Sequence, residues 1–235
     1  SQVNGAIASL APHITSPALI VGKSTVPVGT AQRLADYLKE NAPAGSEVHL
    51  AWNPEFLREG FAVQDTLHPD RIVIGITNPS DEEKLREVYA ASIAEGTPFI
   101  TTDYATAELV KVAANAFLAT KISFINAFAD LCDVAGADIT QLADAIGHDT
   151  RIGRRFLNAG VGFGGGCLPK DIKALHARAS ELGLDEQFEF LTNVGRINQL
   201  RRDLVVQRAT EFAGGDLAGV KITILGAAFK PDSDD

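Results

Sequence analysis

The 235-residue chain is 46% hydrophobic and 22% charged, an ordinary globular balance with enough apolar material for a sizeable core. Its net charge of -9 argues against a nucleic-acid or anionic-membrane partner, which would demand a surplus of Lys and Arg, so any anionic ligand needs a local cationic pocket. No apolar run approaches the roughly 20 residues of a membrane-spanning helix, and residues 1–10 carry no cationic segment leading into an apolar one, which points to a cytoplasmic chain. Residues 19–21 then read as a buried strand, 31–41 as an amphipathic helix, and 47–51 and 71–76 as two further strands. Residues 81–94 are amphipathic and charged on one side, and 98–101 close the series as a strand. Strands alternating with helices predict an α/β fold, here part of a doubly wound parallel sheet with helices on its faces.

At Asp103 an Ala-rich stretch free of Gly and Pro begins and runs to about Ala135, far longer than an average helix of about 11–12 residues. It predicts the spine of an all-helical central domain. Residues 138–146, 171–182 and 187–212 predict further helices, the last ended by Gly214 and Gly215. Residues 220–225 form a β-branched run leading to Gly226, the expected first strand of a second doubly wound domain. With no Met in the sequence and this strand so close to Asp235, the chain reads as cropped at both ends.

The densest chemical pattern is Gly162-Phe163-Gly164-Gly165-Gly166-Cys167-Leu168-Pro169-Lys170-Asp171. Consecutive glycines let backbone approach a ligand or adopt positive φ, and Pro169 suits the first turn of a helix, which sets Cys167 at a helix amino end. Partial positive charge there, with Lys170 adjacent, suits an anionic sulfur, so Cys167 reads as a nucleophile rather than a buried cysteine beside a glycine hinge. The other cysteine, Cys132, sits amid apolar helix, and a chain with a good core needs no disulfide staple.

A second cluster, Asn53-Pro54-Glu55-Phe56-Leu57-Arg58-Glu59-Gly60, follows a strand, where ligands of open α/β sheets collect. Glu55 and Glu59 are four apart, so a helical turn would place both carboxylates on one face, one of them able to act as a base. The plain alternative is a capped surface helix. A third, Lys23-Ser24-Thr25-Val26-Pro27-Val28-Gly29-Thr30, also ends a strand; Thr25 is a candidate for a cofactor or water site and Thr30 reads as the N-cap of the next helix. Lys111 and Asn115 share a face of the long helix and could steady a developing oxyanion, although solvation is the default for such a pair. Arg151, Arg154 and Arg155 form a basic cluster that could hold a phosphate or cross a subunit boundary. The five histidines show no metal spacing and read as structural, so no metal is expected.

In order, and over nearly the whole chain, the segments around Thr25, Glu55, Lys111, Cys167 and Lys230 resemble the UDP-glucose and GDP-mannose dehydrogenase family. The resemblance implies a two-step, four-electron oxidation at C6 of a nucleotide sugar with NAD as oxidant, through a thiohemiacetal and then a thioester on Cys167. It implies that Lys111 and Asn115 polarise the substrate oxygen, that Asp171 with Thr25 orients water, and that Glu55 is the base in hydrolysis. Thr25, Glu59 and Lys170 are implied near the nicotinamide half of NAD; Glu55, Phe56, Leu57, Phe156, Phe163, Gly164 and Lys230 near the sugar substrate. Arg151 resembles a residue that reaches the neighbouring subunit's substrate, which implies a homodimer built on the long central helices. By the same resemblance, 1–102 is the later half of the NAD-binding domain, 103–213 the central helical domain and 214–235 the start of a UDP-binding domain.

Two departures stand out. The glycine-rich fingerprint that opens the family's first domain is absent, as is nearly all of the third domain, so these 235 residues alone are expected to bind NAD poorly and turn over little. Within the family, His68-Pro69-Asp70-Arg71-Ile72-Val73-Ile74-Gly75 favours a UDP-glucose over a GDP-mannose substrate. Two other classes stay open: a cysteine acyl-transferase or hydrolase pairing Cys167 with His176, disfavoured because nine helical residues separate the two by over about 10 Å of rise, and a non-catalytic helical dimerisation module.

Overall fold

A computed structural model describes residues 2–226, 228 and 230, and divides the chain into two compact units, Ser1–Ala113 and Ala114–Asp235. The first unit runs α1 (Gln2–Leu10), β1 (Ala18–Gly22), α2 (Thr30–Asn41), β2 (Val48–Trp52), α3 (Ala62–Leu67), β3 (Ile72–Gly75), α4 (Ser80–Val88), α5 (Ala90–Ala94) and β4 (Phe99–Thr102). Helix α6 (Tyr104–Ala135) begins in this unit and continues into the second, which adds α7 (Ile139–Gly147), α8 (Leu168–Glu181) and α9 (Asp185–Phe212).

The α/β class and the helical spine are as expected, with three differences in detail. The four strands lie in the order β1-β2-β3-β4, and β1/β2 and β3/β4 are parallel, but β2 and β3 meet antiparallel at Trp52↔Gly75. The connection between them holds only the six-residue α3 and brings the chain back at the end of the sheet where β2 left it, so β3 must run the opposite way. The helix expected over 81–94 is two helices, α4 and α5, with Tyr89 between them out of helical geometry. The expected strand over 220–225 is not formed: no described segment pairs with it, and Ile222, Ile224 and Leu225 are exposed. β-propensity makes no strand without a ladder partner.

Each unit has its own cores. In the first, Leu34 and Leu38 of α2 pack with Leu50 and Trp52 of β2 and with Tyr104 and Ala107 of α6. Ala51, Ile72, Ile74 and Leu85 fill the other side of the sheet. In the second, Ala116 and Ala119 of α6, Ile172 of α8, and Leu191 and Val194 of α9 enclose Phe163, while Ile125, Ala143 and Leu157 form a smaller cluster. Contrary to the expectation from uninterrupted apolar runs, α6 is long and apolar enough by composition to cross a membrane. Its charges are spaced widely rather than absent, and its small apolar face is taken up by these cores.

Candidate active site

The first unit gathers polar groups at the carboxyl ends of β1 and β2. Lys23 donates to Asn53 Oδ1 at 2.8 Å and to the Tyr89 hydroxyl at 3.0 Å, and that hydroxyl donates to Asn53 Oδ1 as well. Asn53, buried, donates from its amide to Val73 O at 2.8 Å. This knot ties β1, β2 and β3 together, which gives Lys23 a structural task. Thr25, half-buried, lies in the loop that follows.

Thr30 is not the cap it was expected to be. It is the first helical residue of α2, its hydroxyl donates back to Pro27 O at 2.6 Å, and Gly29 holds the cap position at φ 92° without any side chain to offer. The cap comes from α6: the buried Glu108 accepts the Gly29 N–H at 2.7 Å and the Ala31 N–H at 2.6 Å. An anion at this helix end answers both the orphan amides and the positive end of the dipole, and it fixes the exit of the Thr25 loop.

The segment from Asn53 to Arg58 is irregular, not helical, so Glu55 and Glu59 are not held on one helical face. Asn53 is bonded to Gly22 O through its backbone and to Val73 O through its side chain, which holds the start of this stretch in line with the sheet. Glu55 instead accepts the Leu57 N–H at 2.6 Å and faces the buried Lys111 ammonium at 3.5 Å. Lys111 Nζ also lies 5.6 Å from the centre of the Phe56 ring, whose position the Arg71 guanidinium shares at 3.9 Å. Leu57 is exposed, and Glu59 is half-buried in the turn before Gly60. The first unit thus brings Glu55, Phe56 and Lys111 into contact.

The second unit carries the thiol. Cys167 is free and exposed at the N-cap of α8, with Pro169 in the first turn; Cys132 is free and buried. The Asp171 N–H closes that turn on Cys167 O at 2.9 Å. The Asp171 carboxylate is 3% exposed; it accepts the Asn115 amide at 2.7 Å and lies 3.7 Å from the mostly exposed Lys170 ammonium. Asn115 and Asp171 are therefore partners across 56 residues of sequence, one helix turn from the sulfur.

The glycine segment before Cys167 is held from α9. Asn198 accepts the Phe163 N–H at 2.7 Å and donates to Phe163 O at 2.9 Å, and Arg202 adds a bond to the same carbonyl at 3.2 Å. Phe163 is buried, Gly164 exposed. A cavity of about 380 Å³ opens beside this clamp, with Phe163, Ile172, His176, Leu191, Asn198 and Arg202 among its walls, and Cys167 does not line it. His176 Nε2 faces Thr192 Oγ1 at 3.3 Å.

The basic cluster is largely neutralised. Arg151 pairs with Asp149 at 2.6 Å and Arg154 with Asp144 at 2.5 Å, so neither is an uncompensated cation. The hydrogen bonds from Arg151 hold the Asp149 carboxyl below the usual carboxylate range. Phe156 is exposed at φ 65°, a left-handed conformation rare for a bulky residue, and Leu157 behind it is buried. Lys230 is half-buried.

Family models extend this picture. One for the NAD binding domain of the UDP-glucose/GDP-mannose dehydrogenase family matches residues 1–93, and one for the central domain of the same family matches 105–200. The chain belongs to the UDP-glucose/GDP-mannose dehydrogenase family. Among relatives of this family, UDP-glucose 6-dehydrogenase of Rickettsia typhi is 47% identical over 233 residues, which cover 99% of this chain and 52% of the relative. A solved UDP-glucose dehydrogenase from Pyrobaculum islandicum superposes with a TM-score of 0.84 at 39% identity, over 90% of this chain and 49% of that one. A GDP-mannose dehydrogenase from Pseudomonas aeruginosa gives 0.60 at 27% identity, over 92% and 49%. The chain spans about half the length of the relatives it matches.

Two residues of this family member escaped the sequence reading: Glu108 as the cap of α2 and Asn198 as the clamp on Phe163. Both are polar residues at core-facing positions of long helices, the one sign the sequence offered of them.

Proposed function

We propose that this chain supplies the reacting groups of an NAD-dependent enzyme that oxidises C6 of UDP-glucose from alcohol to carboxylate. The observation that carries the reading is an exposed thiol at the amino end of α8, whose first turn buries Asp171 against Asn115. Two NAD molecules, bound in turn, would each accept one hydride, one per oxidation. Thr25 and Glu59, in the loops after β1 and β2, fit the nicotinamide half of NAD together with Lys170, because such loops are where open α/β sheets take their ligands.

In the first oxidation C6 loses hydride and the alcohol oxygen loses its proton to water oriented by Asp171 and Thr25. Lys111 and Asn115 polarise that oxygen; an amide carries two hydrogens, and Asp171 takes one of Asn115's. The Cys167 sulfur then bonds to C6, the carbonyl electron pair moves to oxygen, and the oxyanion is held by the same cation and amide before protonation gives a thiohemiacetal. Loss of a second hydride and the hydroxyl proton leaves a thioester. Water attacks it as Glu55 takes the proton, the carbon–sulfur bond breaks, and the sulfur leaves with its electron pair.

UDP-glucose is preferred to GDP-mannose because the relatives and the solved structure of closer likeness carry the former name. Phe56, Leu57, Phe156, Phe163, Gly164 and Lys230 are proposed around the sugar nucleotide. Phe117, Phe124 and Leu131 recur every seven residues on an exposed stripe of α6, which supports a homodimer through the long helices in which Arg151 reaches the neighbour's substrate. An exposed working thiol also suits a reducing, cytoplasmic compartment. The domain division at 102/103 and 213/214 belongs to the same proposal.

The test uses the full-length parent protein. Two NADH per UDP-glucose consumed, and loss of turnover by about 10³-fold or more in Cys167→Ala, are expected. One NADH per sugar, or turnover untouched by Cys167→Ala, would refute the thioester route.

A further inference from the structure

The amide of Asn198 does an unusual job for a residue 5% exposed in a helix. Its oxygen accepts from Phe163 N and its nitrogen donates to Phe163 O, so one side chain pairs with both backbone groups of one residue, as a neighbouring strand would. Only one orientation of the amide satisfies both bonds. Burying the amide is tolerable because both ends are matched, whereas an apolar residue of that volume would fill the core equally well but leave the Phe163 amide unpaired and its carbonyl with Arg202 alone.

What it holds leads straight to the thiol. Gly162 sits at φ 96°, and a Cβ built there would lie 2.3 Å from Asn198 Oδ1, so the loop passes the amide at a distance that excludes any side chain. One residue later the Phe163 ring is buried against Ile172 of α8, the helix that Cys167 caps. Arg202 braces the same carbonyl. The five residues from Phe163 to Cys167 are thus anchored at the upstream end by Asn198 and at the downstream end by the first turn of α8. Without the upstream anchor, three glycines with wide conformational freedom would lead into Cys167 from a loose end.

We infer that Asn198 is a positioning residue for the cysteine chemistry, acting through the Phe163 backbone to fix the Gly164–Gly166 loop beside Cys167. The inference rests on the proposed role of Cys167. A displacement of about 1 Å at a reacting group costs on the order of 10²-fold in rate, so the effect belongs in turnover rather than in cofactor binding.

The experiment is steady-state kinetics on the full-length parent enzyme with Asn198→Ala, Asn198→Asp, Gly162→Ala and the Asn198→Ala/Gly162→Ala pair, beside Cys167→Ala. Asn198→Ala is expected to lower kcat about 10²-fold with KM for NAD within about twofold. Asn198→Asp keeps the acceptor, loses the donor and sets a charge against Phe163 O, and is expected not to rescue. Gly162→Ala should reproduce the loss by pushing the amide away, and the pair should be no worse than the poorer single variant, since both break one clamp. Iodoacetamide labelling of Cys167 should change rate in Asn198→Ala and in Gly162→Ala while Cys132 stays inert. If Asn198→Ala does not fold, Gly162→Ala and Asn198→Asp decide by the same readouts. Turnover per folded enzyme within about threefold of the parent in those variants, with only thermal stability reduced, overturns the inference. Turnover surviving in Cys167→Ala overturns the reading beneath it instead.

Discussion

Replacing Glu108 should destabilise the first unit in a way that distinguishes a buried carboxylate cap from a generic buried acid. The carboxylate accepts two backbone N–H groups of α2 at 2.7 and 2.6 Å. Hydrogen bonds to a charged partner are each worth about 1.5–3 kcal/mol, so the pair is worth about 3–6 kcal/mol gross, and removing the acid also removes the cost of having buried it. Glu108→Ala should therefore cost about 3 kcal/mol. Glu108→Gln keeps one acceptor and turns an NH₂ toward the other N–H, so it should recover no more than about half of that loss. Urea unfolding followed by Trp52 fluorescence is the assay: the chain has a single Trp, it is 1% exposed, and it lies in this unit. The two variants should shift the midpoint at constant slope. A loss under about 1 kcal/mol in Glu108→Ala, or a Gln variant as stable as the parent, would refute the capping argument, since neither fits two charge-assisted bonds. In the full-length protein the same change should also raise KM for NAD, because the cap fixes the end of the loop that carries Thr25.

Three further outcomes are expected. Gly22→Ala would place a Cβ 2.1 Å from the Trp52 ring, so it should destabilise the first unit by about 3 kcal/mol and alter Trp emission in the native state. Asp138 caps α7 by accepting the Thr140 and Gln141 N–H groups, and these bonds hold its carboxyl below the ordinary range. A depressed carboxyl stabilises above its unfolded value and loses that contribution as the pH falls through the folded one, so the advantage of the parent over Asp138→Ala should shrink on acidification below the usual Asp range, by chemical denaturation at stepped pH. Asn115→Ala leaves the Asp171 carboxylate buried without its amide and should cost about 2 kcal/mol by thermal unfolding, while in the full-length enzyme it should lower kcat more than it raises KM for the sugar nucleotide.

The local periods in the sequence were enough to find all four strands and the long helices, because alternation and the 3.6-residue repeat depend on neighbours within a turn or two. They could not reveal the direction of β3, which is set by how a loop returns, nor the absence of a strand at 220–225, which depends on a partner. The site divided in the same manner. Cys167 at a helix start was legible from Pro169 and the glycines, whereas a helical Glu55–Glu59 face was a wrong inference from spacing, because Asn53 is drawn into the sheet and the chain from Asn53 to Arg58 stays irregular.

What spacing hides, polarity at a core-facing position can still disclose. Glu108, Ser123, Asn126 and Asn198 are all buried in helices, where a polar side chain finds its own backbone already paired and must look elsewhere. Each finds main chain in another element: Glu108 the amides of Gly29 and Ala31, Ser123 the carbonyl of Val194, Asn126 the amide of Gly160, Asn198 both groups of Phe163. In two of the four the target is backbone without regular structure, on the stretch that leads to Cys167, and in a third it is the start of α2, where the Thr25 loop ends. Irregular backbone cannot satisfy itself, so a fold that keeps its reactive loops glycine-rich needs polar anchors planted in its helices. In this chain the side chains that hold these backbone stretches are accordingly found in the long helices, far in sequence from the loops they hold.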